Sequence, residues 1–219
     1  MAPSQLPQTR AMLMGILALC LFLWPAVVHL PDSRSPEEIK KDGGFLPARP
    51  PQSDEAFSLY RHALRHAEME SAYSDDCIYI STTRKFQLAA QEIKRQGEGW
   101  VYIIYPSPNM FDQAKSLSNH DPSPGSETVV AVGGIHWSQV MAWVHISPRK
   151  KDQAFASNPD FDRSWLALPL TRPQPQLAGF CDGRKGCGAH LREKVDAFMD
   201  VVGAERSGWI EVARVNISS

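Results

Sequence analysis

The stretch SETVVAVGGIHWSQV, residues 126–140, decides the fold. Thr128–Val132 is an unbroken run of β-branched residues and alanine, and Gly133-Gly134 closes it. That pattern predicts a strand and a turn, after which the chain runs into a second apolar segment, IHWSQVMAWVHIS. Strand geometry then sorts the polar residues at the entrance. Alternate side chains share a face, so Ser126 and Thr128 point one way and Glu127 the other.

Working outward, GWVYIIYP (residues 99–106) predicts a strand buried on both faces, and CIYIST (77–82) predicts another. Between them RKFQLAAQEIKRQ is helical, with Phe86, Ala89, Ala90 and Ile93 inward. A longer helix is expected from Asp54 to Glu68, capped by Ser53, with Ala56, Leu59, Tyr60, Ala63, Leu64 and Ala67 on one face. SPEE opens a short helix, with Ser35 as cap and Pro36 in the first turn, and Gly43-Gly44 ends it. Residues 112–126 are polar and rich in Pro and Ser, which predicts a loop, and 148–175 are irregular. LREKVDAFMDVV (191–202) predicts an amphipathic helix of about three turns, and GWIEVARV a closing strand. Repeats are absent. The order is α+β, with helices clustered early and strands pairing late.

Composition narrows the class. A chain of 219 residues, 43% hydrophobic with net charge −1, suits one domain with a small appendage. It argues against disorder and against electrostatic nucleic-acid binding. Arg10 followed by the apolar run Met12–Trp24 and Pro25 has the form of a secretory signal over residues 1–26, an uncleaved anchor being the alternative. Removing it takes away Arg10 and makes the chain more acidic, so no membrane association is expected afterwards. Cys20 lies in that segment, leaving Cys77, Cys181 and Cys187. A local disulfide across CDGRKGC is expected. A zinc site from Cys181, Cys187 and His190 lacks a fourth ligand, so no metal is expected. The chain thus divides into 1–26, a domain over 27–180, and an extension over 181–219.

Six segments carry a resemblance: DSRSPEEIKKDGGFLP, LYRHA, YISTT, SPNMF, AVGGIHWSQV and LAGF. Their order and spacing over about residues 28–180 resemble the A subunits of cholera toxin and heat-labile enterotoxin, which are ADP-ribosyltransferases. The resemblance implies an ADP-ribosyltransferase-like fold: two small sheets around a split NAD-binding cleft, with helices around them. It implies NAD as substrate and a secreted, extracellular toxin or virulence effector.

Such chemistry needs a guanidinium on the NAD diphosphate and a carboxylate against the oxocarbenium-like ribose, with a second polar group two residues earlier on the same strand. The resemblance maps the bracing strand onto Ser81-Thr82-Thr83 and the cleft histidine onto His62, with Asp32 and Ser33 completing the NAD-binding set. His66, at i+4, fits a solvated helix face. The diphosphate arginine maps to Leu30, with Arg34 remaining four residues on, and the two acidic positions map to Ser126 and Thr128. Glu127 sits between them. A bulge would re-aim it, but PNMF and AVGGI keep the family spacing on either side. Losing one preorganised electrostatic group costs ~10²–10³ in rate, so a degenerate site that binds a host or partner protein, or NAD, is expected. The alternative is an active mono-ADP-ribosyltransferase using Glu127, with Arg34 or a neighbour on the diphosphate. A third possibility is a structural or inhibitory protein carrying ancestry alone. Toxins of this group often dock a receptor-binding assembly through a long C-terminal helix, and the short predicted last helix gives no support for such a B-type assembly. Trp137 and Trp143 are expected in the core.

Overall fold

β1 (Val28–Asp32) is the middle strand of a seven-stranded sheet, paired on both sides. The structure is a computed structural model that describes residues 27–67, 76–125, 127–148, 155–168, 170–180 and 189–203. After β1 come α1 (Pro36–Lys41), β2 (Gly44–Phe45), α2 (Leu59–Ala67), β3 (Tyr79–Thr83), α3 (Phe86–Gln96), β4 (Gly99–Ile104) and β5 (Met110–Asp112). They are followed by α4 (Gln113–Leu117), β6 (Thr128–Val132), β7 (Ile135–His136), β8 (Val140–Ile146), β9 (Phe155–Ser157) and α5 (Ala189–Gly203).

Seven strands form an antiparallel sheet in the order β5-β6-β3-β1-β4-β8-β9, and β2 and β7 form a two-stranded ladder. β1 pairs with β4 along its whole length, and β3 likewise with β6. β1 and β3 meet only at His29↔Thr83. The large sheet is therefore two half-sheets, β5-β6-β3 and β1-β4-β8-β9, which part on either side of one residue pair. The architecture is α+β, as expected, and the large sheet divides at this seam.

Burial follows the strand alternation. Phe57, Leu59, Ala63, Val130, Val132 and Phe198 bring α2 and α5 onto β3 and β6. Ala89, Ala90 and Ile93 of α3 cover Val101, Ile103 and Val144. On the other side Leu30, Ile39, Phe45, Tyr102, Val129 and Ala131 form a third cluster, which includes Trp137 and has Trp143 at its edge. Backbones approach closely where β2 meets β7. A Cβ on Gly44 (φ 137°) would collide with the carbonyl oxygen of Ile135, and one on Gly134 (φ 126°) would lie 2.7 Å from that of Phe45.

α1 forms as expected: Ser35 accepts from the Glu38 N–H, and Glu38 reaches back to the Ser35 N–H. Three expectations need correction. The helix over 54–68 is broken at Ser58 into a 3-10 turn (Asp54–Phe57) and α2, because Ser58 takes an extended conformation and caps α2 at the Arg61 N–H. The polar stretch after residue 112 holds α4, started by Asp112 accepting from the Lys115 N–H. Strand pairing is also not late, since β1 opens the fold at the sheet centre. The last helix runs to 15 residues, about four turns. Residues 1–26, Cys181, Cys187 and the expected closing strand lie outside the described residues. Among the described residues no helix is long and apolar enough to cross a membrane, and no cluster of His, Cys, Asp and Glu is arranged to hold a metal.

Candidate active-site cleft

The seam brings one row of side chains together. Thr83 pairs with His29 of β1 on one side and with Thr128 of β6 on the other, so the three stand side by side across three strands on one face. Ser81 lies two residues from Thr83, on the same face. Onto it α2 lowers His62, whose Nε2 is 2.7 Å from Ser81 Oγ. The other ring nitrogen, Nδ1, is 3.1 Å from Cys77 Sγ. His62, Ser81, Thr83 and Thr128, separated in sequence, thus share one site.

The titratable groups beside this row are shifted toward their neutral forms. Desolvation, reinforced by the nearby His66 and Arg65 charges, pushes the His62 imidazole down to about 3. Burial also lowers His29, against hydrogen bonds to the Thr83 and Arg84 backbone that act the other way. The Cys77 thiol is pushed up to about 11, chiefly by burial. At neutral pH all three are uncharged.

The remaining sequence-assigned residues are placed elsewhere. Thr82 alternates to the opposite face, is 4% exposed, and donates through Oγ1 to the Val129 carbonyl. Asp32 is buried and accepts from the Arg34 backbone N–H and, in a fork, from its guanidinium; the closest contact is 2.6 Å. Arg34 also reaches Asp42 at 3.1 Å, so its charge is engaged by two carboxylates. Ser33 is exposed in the bend after β1. Ser126 lies outside the described residues. Leu30, at the position where the resemblance calls for a guanidinium, is 5% exposed within the apolar cluster of Ile39, Phe45, Tyr102 and Val129.

Glu127 precedes β6 and takes a left-handed backbone conformation, φ 52°. Its carbonyl accepts from the Arg84 N–H, and its carboxylate meets Lys85 Nζ at 2.8 Å, about half-exposed. With this one αL residue at the start of β6, the carboxylate is paired with Lys85. Two residues of the site escape sequence reasoning. His29 lies outside every quoted motif, although a lone histidine in the apolar run VVHL is a visible signal. Cys77 stands out in the sequence only as the cysteine left over from the expected pair across CDGRKGC.

A family model described as the heat-labile enterotoxin alpha chain matches residues 11–194. The chain belongs to this family. Among relatives, the A chain of heat-labile enterotoxin IIA from Escherichia coli is 32% identical over 161 residues, 68% of this chain and 61% of that one. The cholera enterotoxin A chain from Vibrio cholerae is 33% identical over 161 residues, 68% and 62% of the two chains. A Vibrio cholerae protein named NAD(+)–arginine ADP-ribosyltransferase Chelt is 30% identical over 185 residues, 75% of this chain and 30% of that one. Among solved structures, a mutant E. coli heat-labile enterotoxin superposes with TM-score 0.57 at 29% identity, covering 73% of this enterotoxin-family chain and 91% of that one. A heat-labile enterotoxin double mutant reaches TM-score 0.66 over 84% of this chain and 92% of that one; at 24% identity it supports the shared fold. The chain spans about three fifths of the length of the enterotoxin A chains it matches.

Proposed function

We propose that this enterotoxin-family chain is a secreted protein, a candidate toxin or virulence effector, whose ADP-ribosyltransferase cleft binds without catalysing transfer. The observation that carries this is the row His29–Thr83–Thr128 with Ser81 and His62 beside it. It offers hydroxyls and neutral imidazoles, the donor and acceptor set a ribose needs. Thr128 stands where the resemblance calls for the carboxylate that offsets an oxocarbenium, and a hydroxyl carries no charge to do so. Leu30 supplies no guanidinium, and Arg34 is engaged by Asp32 and Asp42. Ribose recognition is retained in this proposal, while diphosphate grip and charge stabilisation are lost. The biological action then runs through a protein partner, in the host or of the producing cell, with neither nucleic acid nor membrane as target.

The test is turnover and binding on the same preparation. With labelled NAD and a guanidine acceptor, nicotinamide release and label transfer are expected at background, while equilibrium titration detects NAD binding. Transfer that Glu127→Ala abolishes would overturn the proposal in favour of an active transferase. Absence of NAD binding would leave ancestry alone in the cleft and would equally overturn it.

A further inference from the structure

Cys77 stands two residues before β3, half-buried, at the far end of a relay that runs through His62 to Ser81. Its sulfur accepts the Tyr79 backbone N–H at 3.4 Å, so its own hydrogen has two destinations within reach. One is the Tyr79 carbonyl at 3.9 Å, and the other is His62 Nδ1 at 3.1 Å. The shorter contact points to the imidazole.

We propose that Cys77 is a positioning residue of the cleft: its thiol donates to His62 Nδ1, fixes the imidazole as the Nε2–H tautomer, and so turns the Ser81 hydroxyl hydrogen outward to a bound ribose. The inference rests on the binding function proposed above. With Nδ1 accepting, Nε2 carries the hydrogen and donates to Ser81 Oγ across 2.7 Å. Ser81 then accepts from His62, and its own O–H is free for a ligand oxygen. In the opposite tautomer Ser81 would spend its hydrogen on His62 and offer a ligand lone pairs alone. The thiol pushed up to about 11 and the imidazole pushed down to about 3 keep the pair neutral, so sulfur keeps its proton at physiological pH. The same arrangement prevents His62 from acting as a base toward Ser81, so the relay serves orientation and does not activate a nucleophile.

The experiment reads the His62 tautomer directly, by two-bond nitrogen–proton correlation on the histidine-labelled free protein, with His62→Gln locating the resonance. The expected result is the Nε2–H form in the unmodified chain. Cys77→Ala is expected to shift it toward the other tautomer, and Cys77→Ser, which keeps a donor, to restore it. In parallel, Cys77→Ala weakens NAD binding about fivefold, the worth of one neutral hydrogen bond, while Cys77→Ser stays close to the unmodified chain. An Nδ1–H tautomer in the unmodified protein overturns the inference even if no variant folds, and so does a tautomer that ignores Cys77→Ala. Should the tautomer follow Cys77 while NAD fails to bind, the binding proposal falls and the relay stands.

Discussion

At the scale of single residues, Glu127 shows how a small backbone change redirects a charge. A non-glycine residue at φ 52° costs about 1 kcal/mol, and the exposed bridge to Lys85 returns between nothing and about that much. Glu127→Gly is therefore expected to leave stability within about 0.5 kcal/mol. Glu127→Val, β-branched and ill-suited to the left-handed region, should cost about 1–2 kcal/mol. Urea unfolding of both variants checks the pair, and equal losses would contradict the backbone account. The sequence identifies Leu30 and Thr128 as uncharged positions because motif spacing alone locates them. It does not reveal that Glu127 turns toward Lys85: strand alternation assigns a face only inside a strand, and β6 begins one residue later. His29 is missed for a related reason, since it gains its place from pairing with Thr83, 54 residues away.

At the scale of elements, the legible ones are those whose local chemistry is strong. α1 announces itself by a capping box and β6 by its β-branched run. α4 stays hidden because five residues are too few to show a helical period, and Asp112, its cap, sits in a polar stretch that resembles a loop. The join between the 3-10 turn and α2 is hidden by tertiary bonding. Ser58 caps the Arg61 N–H and donates within 3.3 Å of the Ala178 and Gly179 carbonyls, 120 residues and more downstream. Ser58→Ala removes cap and tether together and is expected to cost about 2 kcal/mol. Chemical denaturation measures it, and Ser58→Thr, which keeps the oxygen, should recover part of the loss. A cost no larger than that of an exposed serine would mean that the tether contributes nothing.

At the scale of the whole molecule, burying neutral histidines links stability to pH. The His62 imidazole is held down at about 3 by desolvation, while the unfolded chain titrates near 6.5. Between those values the unfolded state binds a proton that the folded state refuses, so stability falls as pH falls through that window. Above about 6.5 the contribution is constant. His29, lowered for the same reason, acts in the same direction. The melting temperature is expected to drop from pH 6.5 toward 4, and the drop should be shallower in His62→Gln. Parallel curves for the two proteins would remove His62 from the explanation.

The meeting of β1 and β3 at His29↔Thr83 has a mechanical consequence. Two half-sheets that share a single rung exchange little cohesion through their backbones, so the apolar cluster of Leu30, Tyr102, Val129 and Ala131 carries most of the tie between them. A ligand lying across the row would act as a splint. It would add a second tie across the strands where the backbone ladder supplies only one.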